Sequence, residues 1–360
     1  MTEQADVNST VEPSAPAATP PGAHLQPDPI DAILGDQVNV LSAPRRGAQD
    51  TFPDAVRQGL CSAPKHLDAK YLYDQEGARL FEQICALPEY YLTRTESGIL
   101  SDHVDDIVHT FRGAQTLSEL GAGSARKTQI LIDRFVRANP GFTYNPIDIS
   151  AEMIRLAADR LTAAHERLRI LAMLCEYEVA LKSLDRFVDS PKVIAFLGSS
   201  IGNMTRRRSV EFLKTLSGVM SRDDSLLIGI DMEKDAKALK AAYDDAQGVT
   251  ARFNTNVLRR INRELDADID VSAFRYEVDY NQRAGRIEAY QTSTCDQTVR
   301  INRLNMSVHF KKGERVHTES SHKYTRERFG ALCAEAELSP VQHWSDPRDW
   351  YRVVHVVPAA

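Results

Sequence analysis

Two glycines at the end of an apolar segment are the first residues of this sequence whose spacing indicates chemistry. The segment Thr116–Leu120 contains Glu119 and is followed by Gly121 and Gly123. Glycine lets the backbone adopt conformations, and approach a ligand, in ways that a side chain would prevent. We therefore expect this turn to hold a ligand of nucleotide size.

The residue three places after the second glycine narrows the choice of ligand. A dinucleotide-binding turn has a third glycine there, which lets the following helix pack close to the pyrophosphate. This chain has Arg126 instead. A carboxylate before the turn, here Glu119, suits a cationic ligand without a pyrophosphate, such as S-adenosylmethionine (SAM). An NAD-type site, which Arg126 disfavours, and a plain strand-to-helix turn are the alternatives.

Polar residues also follow the next predicted strands. Asp148 could accept hydrogen bonds from both ribose hydroxyls of an adenosine ligand, because Ser150 is the better-placed cap for the helix that follows. Glu176 and Tyr177 could hold the adenine amino group and ring. Asn203 closes a glycine-rich loop, where its amide either shapes the turn or contacts a substrate with an amine beside a carboxylate.

A second group of candidate residues lies about two hundred positions later. Glu319 and Ser321 are two residues apart in a predicted strand over 315–324, so both side chains lie on one face. A carboxylate beside a hydroxyl can hydrogen-bond both nitrogens of an imidazole. A solvent-exposed edge strand is the alternative. Tyrosines with polar tips add further candidates, although each is more often a core-edge residue: Tyr73, Tyr90, Tyr91 and Tyr243.

Alternating apolar and helical segments would position these residues. Strands are predicted at 116–120, 143–149, 168–174, 193–197 and 225–230, and helices at 126–137, 151–165 and 206–220. Such alternation predicts an α/β fold with a doubly wound parallel sheet. Ligands of these sheets bind beyond the carboxyl ends of the strands. The polar residues after the strands are therefore expected to share one edge of the sheet.

Composition limits the class of protein. The 360 residues carry a net charge of −6, which gives no reason to expect nucleic acid as a partner. No apolar run approaches the ~20 residues of a membrane-spanning helix. Five cysteines lack both paired spacing and a histidine partner, so reduced thiols and no metal are expected. We expect a cytoplasmic protein without membrane contact, and a monomer is favoured.

The motifs in their order along the chain resemble one family. They are Tyr73–Asp74, Leu87–Tyr91, Thr93–Glu96, Glu119–Gly123, Phe196–Asn203, Tyr243–Asp245, Asn262–Leu265, Arg286–Glu288 and Thr318–Tyr324. Together they resemble the SAM-dependent, histidine-specific methyltransferases that form hercynine, the trimethylated histidine of ergothioneine biosynthesis. The resemblance covers about residues 54–356.

The resemblance implies a role for each candidate residue. It implies a class I methyltransferase (Rossmann-like) domain that binds SAM, and a second, smaller α+β domain that binds L-histidine as a small-molecule substrate. The implied SAM contacts are Tyr73, Gly121, Lys127 and Asp148, with Glu176 and Tyr177 at the adenine. The implied substrate contacts are Tyr90, Asn203, Tyr243, Glu319 and Ser321. Tyr73, Asn203 and Tyr243 would be the catalytic residues, and no metal is implied.

Five segments follow from composition and resemblance together. Residues 1–50, rich in Pro and Ala, are expected to form a disordered tail. Residues 51–100 would form helices of the substrate domain, 101–232 the SAM-binding domain and 233–310 a substrate-binding insertion. Residues 311–360 would return to complete the sheet and the substrate pocket.

Three positions depart from the family pattern. Glu176–Tyr177 stands where Asp-Phe is usual, Tyr276 where His is frequent, and Ala289 where Met usually flanks the substrate ring. The last change predicts a wider pocket. It leaves open a methyltransferase of the same fold that acts on another aromatic amino acid or amine. A SAM-binding protein without catalytic activity is a further alternative.

Overall fold

Strand segments build three β-sheets, of nine, three and two strands, in the computed structural model, which describes residues 25–27, 36–42 and 51–359. In chain order the strands are β1 Gln26–Pro27, β2 Val38–Ser42, β3 Thr116–Leu120, β4 Thr143–Asp148, β5 Arg169–Leu174, β6 Lys192–Phe196, β7 Ser225–Asp231, β8 Phe274–Asn281, β9 Arg286–Ser293, β10 Gln297–Ile301, β11 Met306–Phe310, β12 Arg315–His322, β13 Leu338–Ser345 and β14 Tyr351–Pro358.

Helices connect most of these strands. In chain order they are α1 Phe52–Cys61, α2 Gln75–Cys85, α3 Tyr91–Asp102, α4 Val104–Thr110, α5 Gln129–Ala138, α6 Ala151–Ala164, α7 Tyr177–Leu181, α8 Arg206–Val219, α9 Ala236–Ala241, α10 Val249–Leu265 and α11 Arg326–Glu335. Side-chain caps fix several starts: Ser150 accepts from the amide of Met153 at 3.3 Å, as expected for α6.

The larger sheet has nine strands in the order β1-β2-β5-β4-β3-β6-β7-β14-β13. Strands β2 to β7 pair in parallel, whereas β14 pairs antiparallel with both β7 and β13. The α/β prediction is therefore confirmed, with an antiparallel edge added to the parallel strands. Chain order reverses between β3 and β6, which opens a crevice beyond their carboxyl ends.

Apolar residues on both faces of this sheet are buried under helices. On one face, Leu117 and Tyr144 belong to a core that includes residues of α5 and α6. On the other face, Leu120 and Ile147 belong to a core that includes residues of α8 and α11. Burial on both sides is therefore continuous along β3 and nearly so along β4, instead of alternating from residue to residue.

The smaller sheet has three strands in the order β12-β9-β8. It adjoins the hairpin formed by β10 and β11, and the apolar stripe of α10 packs towards it and towards α2. Within the C-terminal segment, β12 belongs to this small sheet, whereas β13 and β14 belong to the large one. The chain therefore passes between the two sheets at the residues that follow Ser321.

The N-terminal segment corrects one expectation. Val38–Ser42 does not belong to a disordered tail, because it pairs in parallel with β5, from Val38 opposite Ile170 to Ser42 opposite Leu174. Val40 is fully buried in that position. The expectation of disorder is wrong for these five residues and for Gln26–Pro27, which pairs with Leu41 and Ser42. Residues 1–24, 28–35 and 43–50 lie outside the described part of the chain.

Candidate functional site

The glycine turn lies at the carboxyl end of β3, beside the point where strand order reverses. Gly121 and Gly123 have φ of +70° and +51°, in the left-handed region that favours glycine. A Cβ on Gly121 would stand 2.7 Å from the hydroxyl of Tyr177. Glycine at position 121 therefore permits the close approach of Tyr177. Apart from its chain neighbours, no described atom lies within 4 Å of a Cβ placed on Gly123, so the backbone there is open to a molecule lying against it.

Asp148 lies beside this turn at the end of β4. One carboxylate oxygen accepts from the amide of Gly123 at 2.9 Å and the other from the amide of Ser150, also at 2.9 Å. Burial raises the pKa of this carboxyl. Each oxygen keeps a lone pair beyond its backbone partner, so a pair of ribose hydroxyls could still be accepted.

Glu176 and Tyr177, which are expected to contact the adenine, lie at the carboxyl end of β5. The Tyr177 ring packs edge-on against Phe196, with centroids 5.7 Å apart, and its hydroxyl reaches the Gly121 turn. Glu176 is exposed and lies 3.7 Å from the ammonium of Lys70. Ile149, directly after Asp148, is an apolar side chain with 60% exposure that the sequence reasoning did not select.

Glu119 corrects the interpretation of the motif. Its buried carboxylate accepts from the hydroxyls of Thr128 and Tyr144, behind the turn. Burial raises its pKa to about 7. This side chain therefore ties the start of α5 to β4, and the expectation that it faces a cationic ligand is wrong.

Lys127 is held by a glutamate that the sequence reasoning did not select. Its ammonium donates to Glu96, a residue of α3 that is 1% exposed. The Glu96 carboxylate also accepts from the Tyr351 hydroxyl at 2.8 Å and from the Gly198 amide at 2.9 and 3.0 Å. One carboxylate thereby joins Lys127, which follows the glycine turn, to the loop that carries Asn203.

Glu319 lies on the small sheet with its side chain pointing inward. It is 9% exposed and Ser321 is 3% exposed, so the alternative of a solvent-exposed edge face is wrong. Within the described ranges, the one side chain that donates to the Glu319 carboxylate is Asn254, at 3.5 Å. The Asn254 amide oxygen in turn accepts from Thr318 at 2.7 Å, which fixes the direction of the amide.

The electrostatic surroundings of Glu319 identify the groups that face it. Burial raises its pKa to about 7, against the hydrogen bond from Asn254 and the charge of Lys323. Its negative charge raises the pKa of each of four buried phenols, for which burial is the larger cause. They are Tyr73, Tyr90, Tyr243 and Tyr276. Four phenols from separate elements are therefore close enough to interact electrostatically with one carboxylate.

Tyr243 and Ser321 form a direct contact, with 2.7 Å between their hydroxyl oxygens. The buried ammonium of Lys323 donates to Tyr243 at 2.9 Å and to Ser321 at 2.8 Å. The Tyr90 ring lies edge-on to Tyr243, with centroids 6.2 Å apart. Three predicted substrate residues thus meet at one point, together with a lysine that was not predicted.

The remaining substrate candidate is Asn203, which lies in the turn Ser200–Asn203 after β6. Its side chain is exposed, and the turn is anchored by its neighbours: Gly202 accepts from the His322 ring at 2.9 Å. Ser199 adopts φ +55°, a left-handed conformation unusual for serine, and accepts from the Asp231 amide at 3.0 Å. Backbone strain of this kind concentrates at functional sites.

Ala289 lies directly opposite Glu319 across the β9–β12 pair. Opposed residues of an antiparallel pair project to the same face, so this small, fully buried side chain borders the carboxylate. Tyr276, on the neighbouring strand, donates its hydroxyl to the backbone oxygen of Tyr243 at 2.8 Å. The site therefore has a small side chain, Ala289, beside Glu319, and a hydrogen bond from Tyr276 holds the backbone at Tyr243.

Four functional candidates were missed by the sequence reasoning: Glu96, Asn254, Asp231 and Lys323. Glu96 and Lys323 lie within the motifs Thr93–Glu96 and Thr318–Tyr324, and Asp231 follows the strand predicted at 225–230, but spacing alone does not reveal that a charged or amide group is buried. Across residues 25–27, 36–42 and 51–359 no cluster of acidic, His and Cys side chains could hold a metal ion. No helix in those ranges could span a membrane.

Comparison with known proteins gives matches over both sheets. The family model described as "Histidine-specific methyltransferase, SAM-dependent" matches residues 52–358. Histidine N-alpha-methyltransferase of Mycolicibacterium smegmatis is 41% identical over 292 residues, which cover 81% of this chain and 90% of that protein. Its namesake from Mycobacterium tuberculosis is 40% identical over 291 residues, with the same coverage of 81% and 90%. Ergothioneine biosynthesis protein 1 of Neurospora crassa is 30% identical over 288 residues, which cover 78% of this chain but 32% of that protein.

Proposed function

This chain belongs to the histidine-specific, SAM-dependent methyltransferases, and we propose that it methylates the α-amino group of L-histidine three times to give hercynine, for ergothioneine biosynthesis. SAM is the methyl donor, and it supplies an electrophilic methyl group on a sulfonium. Tyr73, Gly121, Lys127 and Asp148 would hold it, with Glu176 and Tyr177 at the adenine.

The observation that carries this proposal is the buried carboxylate of Glu319. At 9% exposure it has one weak donor, Asn254, among the described residues, and its pKa is raised to about 7. A buried acceptor without a strong partner costs about 1–3 kcal/mol until a ligand supplies a donor. An imidazole N–H is such a donor, whereas an aliphatic side chain is not. Ser321, on the same strand face, would contact the other ring nitrogen.

The tyrosines would hold the amine while it reacts. Burial raises the pKa of Tyr73 and Tyr90 well above the usual range, so both phenols remain neutral at physiological pH. They would therefore act as hydrogen-bonding and aromatic neighbours of the amine and not as strong bases, and the amine proton would leave to water. Aromatic faces also tolerate a growing methylammonium cation. Asn203 and Tyr243 would hold the α-carboxylate, so that alignment supplies about 7–11 kcal/mol of the rate enhancement.

A bulkier aromatic acceptor, such as tryptophan, is the second candidate, and Ala289 favours it. This residue is fully buried beside Glu319 and leaves space that a longer side chain would fill. An indole, however, has a single ring nitrogen, which can contact either Glu319 or Ser321. The two ring nitrogens of an imidazole can contact both residues. Histidine therefore satisfies more of the polar groups at this site.

One experiment separates these substrates. The purified full chain is incubated with SAM and a panel of histidine, tryptophan, tyrosine and phenylethylamine, and mass spectrometry counts the methyl groups gained. We expect three methyl groups on histidine and slower or no gain elsewhere. Methylation of tryptophan but not histidine would refute the histidine assignment, and binding of SAM without any methylation would support a protein without catalytic activity. The monomeric state and the cytoplasmic location remain predictions.

A further inference from the structure

Lys323 is a fully buried cation directly behind the candidate substrate pocket. It follows β12, and its side chain is 0% exposed. Its ammonium contacts Asp231 at 2.7 Å, Tyr243 at 2.9 Å and Ser321 at 2.8 Å. A lysine has three N–H donors, so each one has a partner. Two of the three partners are the hydroxyls expected to contact the substrate.

Lys323 is not the one group that compensates the negative charge of Asp231 among the described residues. Asp231 is also paired with Lys234 and accepts from the Tyr91 hydroxyl at 2.9 and 2.8 Å. One carboxylate thus faces two ammonium groups. Asp346 adds a negative charge near Lys234, and Glu319 adds one near Lys323 when it is ionised. Because the Lys323 ammonium lies directly against Tyr243 and Ser321, its charge favours an anionic group placed beyond these two hydroxyls.

Counting hydrogens shows what the two hydroxyls can offer a substrate. Lys323 donates to both oxygens, and the 2.7 Å contact between Tyr243 and Ser321 uses one of the two hydroxyl hydrogens. The second hydrogen and one lone pair remain to point into the pocket. One of the two hydroxyls therefore acts as a donor to the substrate and the other as an acceptor. A ligand that determines the role of one hydroxyl also determines the role of the other.

We propose that Lys323 is a positioning residue for the methyl-accepting amino acid, acting through the hydroxyls of Tyr243 and Ser321. Its charge favours the α-carboxylate at Tyr243, and once Tyr243 donates to that carboxylate, Ser321 becomes an acceptor for a ring N–H. With Glu319 as the other acceptor, the site then favours a ring that carries two N–H groups, the imidazolium form. This inference rests on the proposed function and names the form of the substrate that the site selects.

Other charged and titratable groups face this cluster and are included in the expected pH behaviour. They are Asp231, Lys234, Asp346, Tyr91, Tyr73, Tyr90, Tyr243, Tyr276, Tyr280, His322 and Glu319. The positive charge of Lys323 holds the pKa of Glu319 below the value that burial alone would give. Removing Lys323 should therefore make Glu319 harder to ionise.

Lys323→Met tests the proposal in the full chain, with Lys234→Met as the matched control. Both variants remove one ammonium from Asp231, but Lys234 does not contact Tyr243 or Ser321. In Lys323→Met we expect KM for histidine to rise at least about tenfold, because hydrogen bonds from a charged group are lost. The acid limb of kcat/KM should move up by about one pH unit. The affinity for S-adenosylhomocysteine, measured by calorimetry, should change less than about threefold, because no SAM contact is removed.

The control and two further measurements decide the outcome. Equal effects of Lys323→Met and Lys234→Met on KM would overturn the proposal, since they would assign both lysines to neutralising Asp231. A Tyr243→Phe double-mutant cycle should show that the two changes are not additive, and additivity would also overturn it. 2-Fluorohistidine, whose ring is not protonated at neutral pH, should be a poor substrate of the wild type, and a parental kcat/KM on it would refute selection of the imidazolium.

The remaining outcomes are also decisive. If Lys323→Met does not fold, Lys323→Gln takes its place, and failure of both variants to fold would assign Lys323 to stability and overturn the proposal. If the wild type methylates another amino acid and not histidine, the proposed function fails first. The same Lys323 and Lys234 comparison on that amino acid then still tests the positioning role.

Discussion

Replacing Glu319 by glutamine should stabilise the fold and at the same time weaken the reaction on histidine. The rise of the Glu319 pKa from 4.5 to about 7 corresponds to about 3 kcal/mol, at ~1.4 kcal/mol per pH unit. The folded-state value lies above the unfolded one, so the bound proton favours the folded chain. This favourable contribution is complete below the unfolded pKa of 4.5 and is lost as pH rises through about 7.

Glutamine removes the titration but keeps the shape of the side chain. Urea unfolding should therefore give wild type and Glu319→Gln stabilities within about 1 kcal/mol of each other at pH 5, and a variant that is more stable by about 3 kcal/mol at pH 8. The kcat/KM for histidine at pH 8 should fall at least about tenfold, because a hydrogen bond to a charged acceptor is lost. Such an exchange of stability for activity is expected at a strained functional site.

Glu119→Gln is the matched control for this experiment. Glu119 is equally buried, and burial raises its pKa to about 7 as well, but its partners are Thr128 and Tyr144 behind the cofactor turn. The ratio of rates on histidine and tryptophan should remain that of the wild type in this variant and fall in Glu319→Gln. If Glu319→Gln had wild-type stability at pH 8, the reasoning that burial penalises this carboxylate would be refuted.

Three further changes test the cofactor side of the site. Gly121→Ala forces alanine into a left-handed conformation at a cost of about 1–2 kcal/mol and places a Cβ 2.7 Å from the Tyr177 hydroxyl. Calorimetry should show that the affinity for SAM is at least about tenfold weaker. Unchanged affinity would exclude a ligand at this turn. Asp148→Asn should weaken SAM binding by about tenfold with little effect on KM for histidine, and the opposite pattern would place Asp148 on the substrate. Glu96→Gln leaves the 21% exposed Lys127 without its anionic partner. Urea titrations should show an unfolding free energy lower by about 2–3 kcal/mol. Breaking an ion pair on the protein surface would not cause a loss of this size.

Regular elements of this chain could be predicted because each has a local signal. The strands at 116–120 and 225–231 combine apolar residues with short length and a following turn or polar residue, and Ser150 marks the start of α6. The segment Val38–Ser42 was missed because its signal is not local. Five residues inside a Pro-rich segment become a strand when β5 offers an unpaired edge, and the resulting backbone hydrogen bonds exist only in the assembled sheet.

Some candidate site residues could also be placed from local sequence signals, whereas others could not. Glycines after β3, the carboxylate after β4 and the Glu319–Ser321 spacing follow from strand periodicity, so their approximate positions could be inferred. The direction of Glu119 could not, because a residue one place from a strand end can face a ligand or the core. Packing against Thr128 and Tyr144 decided it.

The sequence by itself determined the α/β alternation, the glycine turn after β3 and the placement of Glu319 and Ser321 on one strand face, because these depend on side-chain period and on the chemistry of single residues. Only the tertiary structure decided which charges meet. Asp231, Tyr243 and Lys323 lie on separate segments. Where the two sheets adjoin, the Lys323 ammonium lies 2.7 Å from the Asp231 carboxylate and 2.9 Å from the Tyr243 hydroxyl. The free energy of such a cluster depends on burial and on three-dimensional distance, which no spacing along the chain specifies.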